Sequence, residues 1–141
     1  MGIVGGMPHD VAPTAPSDAL VADVFARDCT SRQTLENVAG KWGVLALAAL
    51  HDGAYRFNAL RRRVDGVSEK MLAQTLHALE RDGMVHRAVQ ATIPPRVEYS
   101  LTPLGERVAS KLIDLIELVE GEMDQVRAAQ ATYDHRREAG A

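Results

Sequence analysis

The chain has 141 residues, 46% of them hydrophobic and 25% charged, which fits one globular domain with a modest core and leaves too little for two. A formal net charge of −3 and a sequence pI of about 5.9 exclude a global basic field, and a single cysteine excludes an intramolecular disulfide. The longest apolar run, Trp42 to Leu50, is about half of what a membrane span needs, and the N-terminus lacks the basic start and apolar stretch of a secretory signal. The expectation is a cytoplasmic protein with no membrane partner.

In chain order, residues 1–17 are rich in Gly, Pro and Ala without periodicity and read as a disordered arm. Residues 18–132 read as the folded domain and residues 133–141 as a polar tail that frays. Ser17 is placed to cap a short helix through Arg27. A second helix is expected from Ser31 to Ala39 with Leu35 and Val38 inward, ended by Gly40. Trp42 to His51 is apolar nearly all round, the mark of a helix buried on most sides. "YRF" is a minimal strand before a helix from Asn58 to Val64 whose inner residues are Phe57, Leu60 and Val64.

After the Asp65-Gly66 turn, Ser68 caps the most regular helix, "SEKMLAQTLHALERDG", which ends at Gly83. Leu72, Leu76 and Leu79 fall on its inner face, and Lys70, Gln74, His77 and Arg81 make a polar stripe on another. "VHRAVQA" and "RVEYSL" then form an antiparallel hairpin, with Pro94 and Pro95 at its tip because neither can donate to a ladder. Arg87 is expected opposite Glu98 across that hairpin. From Pro103 a long helix carries Leu104, Val108, Leu112, Leu115, Val119, Met123 and Val126 at steps of three or four, with Gly121 as a kink or break. The fold class is mainly α with a small β-hairpin (α+β): two helices across a Gly-containing turn, then a hairpin, make a winged helix-turn-helix.

Charge is uneven along this plan. Between Arg56 and Val97 eight basic residues face four acids, so a basic middle lies between acidic ends, the local footprint of a DNA binder. An α-helix fits the major groove, where Gln pairs with adenine and Lys reaches guanine or phosphate. Residues near the helix start penetrate deepest, which selects Ser68, Lys70, Ala73 and Gln74, with His77 behind them. A polar helical stripe is more often just a solvated face; the turn before it and the wing after it decide against that here. Arg61, Arg62 and Arg63 fan around a helix, so only one or two of them can grip phosphates, and Arg62 is selected. Arg56 on the minimal strand and Arg96 on the wing are placed to reach the backbone or a minor groove.

No enzymatic constellation can be assembled. His9, His51, His77, His86 and His135 form no ligand spacing for a metal, and no Gly-rich phosphate loop, H-E-x-x-H or G-x-S-x-G is present. No cofactor is implied. Cys29 is the one reactive candidate: it directly precedes a predicted helix whose N-terminal dipole favours thiolate, near Arg27 and Arg32 but beside Asp28. As a rule a free cysteine is an inert small hydrophobe.

"GKWGVLALAAL", "RFNALRRRVDGVSEKMLAQTLHALERDGMVHR" and "PPRVEYSLTPLG" together resemble the HxlR-type family of bacterial transcriptional regulators, relatives of the MarR group, from about Cys29 to about Val119. The resemblance implies a homodimeric winged-helix DNA binder whose first and C-terminal helices build the dimer. It also implies that a cysteine at position 29 serves some members as a thiol sensor. The chain departs from the family in having Thr30 after Cys29, where proline is typical, and His77 where a more basic residue is common. The expected function is a sequence-specific transcriptional regulator, a repressor, on a pseudo-palindromic double-stranded operator. Its effector would be an oxidant acting through Cys29 or a small molecule. The alternative class is a winged-helix protein-interaction module that does not bind DNA.

Overall fold

The computed structural model of the protein describes residues 24–140, which divide at Gly40 into two compact units. The N-terminal arm and most of the first expected helix lie outside the described residues. The last part of that helix does not form, because residues 24–28 are turns.

In the first unit, α1 spans Thr30–Ala39 with Cys29 at its N-cap. The Arg32 amide donates to the Cys29 carbonyl at 3.2 Å, and the Gly40 amide donates back to Glu36 at 3.0 Å, so both ends close with main-chain bonds. Arg32 ties the preceding turn to the helix: its Nη1 donates to the Phe25 carbonyl at 3.3 Å and its Nε lies 3.4 Å from Glu36 Oε2. Val38 is buried as the spacing predicts, but Leu35 is half exposed instead of turned inward.

In the second unit, α2 (Lys41–Leu50) is the central strut and packs against α4 and α5. Its small residues Gly43, Ala46 and Ala49 let neighbours approach, and Leu47 and Leu50 fill the space between. β1 (Tyr55–Arg56) leads directly into α3 (Phe57–Arg63), then a turn through Gly66, where φ is +90°, and α4 (Glu69–Arg81). Leu60 from α3 and Leu72, Leu76 and Leu79 from α4 are fully buried against α2. Each contributes roughly 1.5–3 kcal/mol by leaving water, and this shared core fixes the angle between the two helices of the helix-turn-helix.

The caps of α4 follow from sequence. Ser68 Oγ accepts from the Met71 amide at 3.0 Å. At the other end Gly83 adopts φ +77°, its amide bonds Glu80 at 3.0 Å, and the Met84 amide bonds Leu79 at 2.9 Å, a Schellman closure with Met84 buried beside it.

β2 (Val85–Gln90) and β3 (Arg96–Leu101) form the wing, and the sheet has three strands in the order β1-β3-β2, all antiparallel. The minimal strand therefore belongs to the wing sheet, with β3 at its centre. The register puts Arg87 opposite Tyr99, not Glu98; Glu98 stands between Ala88 and Arg56. The expected Arg87–Glu98 pair thus misses by one residue, which in a sheet means opposite faces. The Tyr99 ring packs instead near Phe57, with centroids 6.4 Å apart.

α5 (Pro103–Gly121) starts on the Thr102 cap, whose Oγ1 accepts from the Gly105 amide at 3.0 Å. The chain breaks at Glu122, as Gly121 suggested, and α6 runs from Met123 to Gly140. The expected polar tail is thus helical. Ala-, Arg- and Gln-rich sequence supports a helix without a core, and Arg127–Asp124 at 2.9 Å adds a local ion pair. No helix among the described residues is long and apolar enough to cross a membrane.

Candidate nucleic-acid interface

Helix α4 separates its residues cleanly. With Leu72, Leu76 and Leu79 in the core, Lys70, Ala73, Gln74, His77 and Arg81 are all exposed on the outer face. Ser68 is exposed at the cap, where its hydroxyl accepts one amide and retains its own proton for a further partner. Four of the residues selected from sequence, Lys70, Ala73, Gln74 and His77, thus lie along one side of one helix, and Ser68 precedes them at its cap.

The N-terminal end of this face adjoins α3. An open cleft of about 800 Å³ is lined by Asn58, Arg61, Arg62, Asp65, Gly66, Val67 and Glu69. Arg61 Nη1 lies 3.6 Å from Glu69 Oε2 across it, so Arg61 is engaged by the protein while the Arg62 side chain stays exposed on the same cleft. Neither this pair nor the cleft was read from sequence, because both depend on how α3 and α4 cross.

The wing supplies the second group. Arg56 lies opposite Glu98, and Arg96 is two residues further along β3, so the two arginines share one face of the sheet. Both are exposed. The wing is clasped to the end of α4. The Thr102 amide donates to the Met84 carbonyl at 3.0 Å, and Thr102 Oγ1 donates to the Gly83 carbonyl at 2.6 Å. A Cβ on Gly105 would collide with that same Met84 carbonyl, so only glycine allows α5 this close.

Cys29 lies in the other unit. It is buried, and its Sγ is 2.9 Å from Ser31 Oγ. A pocket of about 250 Å³ there is lined by Cys29 with Arg27, Asp28, Thr30, Arg32, Gln33 and Glu36. Among the described residues no group of three or more His, Cys, Asp or Glu side chains is placed to hold a metal ion.

The HxlR-like helix-turn-helix family model matches residues 37–127. The chain is 50% identical over 108 residues to the uncharacterised HTH-type transcriptional regulator YtfH of Escherichia coli (strain K12), covering 77% of this chain and 86% of that protein. The solved structure of YtfH from Salmonella typhimurium superimposes with a TM-score of 0.72 at 52% identity, covering 76% of this chain and 96% of that one. The redox regulator HypR in its reduced form gives a TM-score of 0.64 at 36% identity, covering 70% and 97%. These relatives are regulators and not enzymes. With its exposed α4 face and clasped wing, this chain belongs to the HxlR-like helix-turn-helix family of DNA-binding transcriptional regulators.

Proposed function

We propose that the protein is a homodimeric repressor that reads a pseudo-palindromic operator in double-stranded DNA in the cytoplasm. α4 enters the major groove with Ser68, Lys70, Ala73 and Gln74 toward the bases and His77 behind them. Arg62, Arg56 and Arg96 hold phosphates or the adjacent minor groove. The observation that carries this reading is the outer face of α4: its residues are exposed while its leucines are fully buried, and a basic wing is fixed at its C-terminal end.

The dimer is supported by apolar surface on α5 that this chain leaves in water. Leu115 is 55% exposed, Leu118 62% and Val119 47%. Three such residues within five positions of one helix make a patch that a second copy would cover. Half-sites then lie about one helical turn apart, roughly 10 base pairs or a multiple.

The experiment is selection of duplexes from a random pool by the full chain, followed by affinity against salt and sedimentation of the complex. If each dimer neutralises about six to ten phosphates, log K falls with log salt at a slope of about −5 to −9. A salt-independent affinity, or a monomer that binds as tightly, contradicts the reading.

A second reading concerns control. HypR is a redox regulator, and Cys29 shares its pocket with two guanidinium groups, Arg27 and Arg32, and two carboxylates, Asp28 and Glu36. We propose that oxidation or thiol capping of Cys29 changes DNA affinity. Control by a small-molecule effector is the outcome if modified Cys29 leaves affinity unaltered.

A further inference from the structure

The end of the wing carries an apolar cap that the fold does not use. Ile93 is fully exposed, Val89 is 58% exposed, and Pro94 and Pro95 are exposed beside them. Hairpin ends in water ordinarily take polar or turn-forming residues, and a β-branched apolar side chain standing wholly in solvent adds nothing to the folded state. The cap is nevertheless held in shape. The Thr92 amide donates to the Gln90 carbonyl at 2.9 Å, and Thr92 Oγ1 donates to the Pro94 carbonyl at 2.7 Å. Two successive prolines further restrict the backbone. Ile93 sits between these constraints, so little freedom remains to be lost when it meets a surface. Arg96, exposed at the first position of β3, places a cation at the foot of the cap.

We infer that Ile93 is an apolar DNA contact: the wing tip enters the minor groove beside the recognition site, and Ile93 packs on sugar and base edges there and opens the groove. This rests on the DNA-bound arrangement proposed above. The charges select the occupant, because exposed Arg96 and Arg56 outnumber the less exposed Glu98 on one face of the same sheet and favour a polyanion over an apolar protein surface. Apolar wedges in the minor groove unstack base steps and bend the duplex. The wedge therefore gives preference for flexible pyrimidine–purine steps at positions no hydrogen bond reads. It displaces no counterion, so its share of the affinity is independent of salt, unlike that of Arg96.

The test uses the full chain and duplexes that the wild type selects from a random pool. Affinity across a salt series and end-to-end fluorescence transfer on the duplex are measured for wild type, Ile93→Ala, Ile93→Leu and Arg96→Ala, with melting temperature as a control for folding. Ile93→Ala should bind about tenfold more weakly at every salt concentration, with unchanged slope and a smaller bend. Ile93→Leu should keep most of both, and Arg96→Ala should flatten the slope by about one for each wing engaged. Wild-type affinity and bend in Ile93→Ala, with a flattened slope in Arg96→Ala, would leave the wing on DNA and overturn the apolar contact. If neither variant changes anything, the wing is off the DNA and the proposed arrangement falls as well. If Ile93→Ala lowers the sedimenting mass of the free protein, the cap faces a second copy and the inference is overturned.

Discussion

Arg61 Nη1 on α3 lies 3.6 Å from Glu69 Oε2, the first residue of α4, so an ion pair spans the turn of the helix-turn-helix. Both side chains are about half exposed or more, at 46% and 70%, and such pairs contribute about 0–1 kcal/mol to stability. The consequence is for DNA instead. Glu69→Gln removes an anion from the leading end of the recognition helix and releases Arg61 toward phosphate. Urea melts should show a change under about 1 kcal/mol. Affinity should rise on all sequences, with a salt slope steeper by about one per subunit. Unchanged affinity and slope would place this end of α4 away from the backbone.

Base reading and backbone grip should separate by mutation. Gln74→Ala should cost about 1–3 kcal/mol on the preferred sequence and little on others, because a bidentate contact to a base edge is lost. Arg62→Ala should weaken every duplex similarly and flatten the salt response. A binding-specificity profile for each variant is the measurement; equal loss across all sequences for Gln74→Ala would remove it from the bases.

Gly105→Ala should be among the most damaging single changes to the fold. The new Cβ meets the Met84 main-chain carbonyl, which cannot swing aside while it accepts the Thr102 amide. A loss of about 1–3 kcal/mol or more is expected by denaturant melting. Gly83→Ala has open space around the Cβ but φ +77°, so it should cost only about 1 kcal/mol through backbone strain. The order of the two losses checks the clasp.

Leu115→Glu together with Leu118→Glu should convert a dimer to monomers with the helix intact. Both residues are exposed in the single chain, so charge there costs little unless a second copy covers them. Analytical ultracentrifugation and circular dichroism give the two readings. A dimer that survives both substitutions lies elsewhere.

Cys29→Ser should bind DNA as the wild type does when reduced and should lose any response to diamide or peroxide. The accessible products with one cysteine per chain are sulfenic acid, a mixed disulfide or a bond between subunits. Mass spectrometry paired with operator affinity settles it. Full modification without an affinity change makes the residue structural.

The helices were legible where sequence carries its own punctuation. Ser68, Gly83 and the Thr102-Pro103 start each sit at a cap that the structure closes, the two hydroxyls by accepting a main-chain amide and Gly83 by a main-chain bond. The inner leucines of α4 reveal its outer face by subtraction, which is why the proposed base-reading residues could be chosen at all. Two-residue strands have no period to read, so the pairing of Tyr55 with Tyr99 was invisible. The Arg87 error has the same origin: five residues separate Gln90 from Arg96, and the register across such a loop depends on its backbone path. The extension of α6 beyond Tyr133 was missed for the opposite reason. It has helix-forming residues without an apolar stripe to betray them. The Arg61–Glu69 pair and the Gly105 approach to Met84 are tertiary, so no local pattern announces either.

The clasp of Thr102 on Gly83 and Met84 makes the wing and the reading helix one stiff fork. In the proposed dimer, a signal that reaches such a fork would not blunt one tine alone; it would turn the fork against its twin. Switching off would then abolish the joint grip of two forks while leaving each able to hold any stretch of duplex weakly. The silenced regulator would stay on the chromosome, sliding over ordinary sequence, and return to its site by a short one-dimensional search once the signal passed.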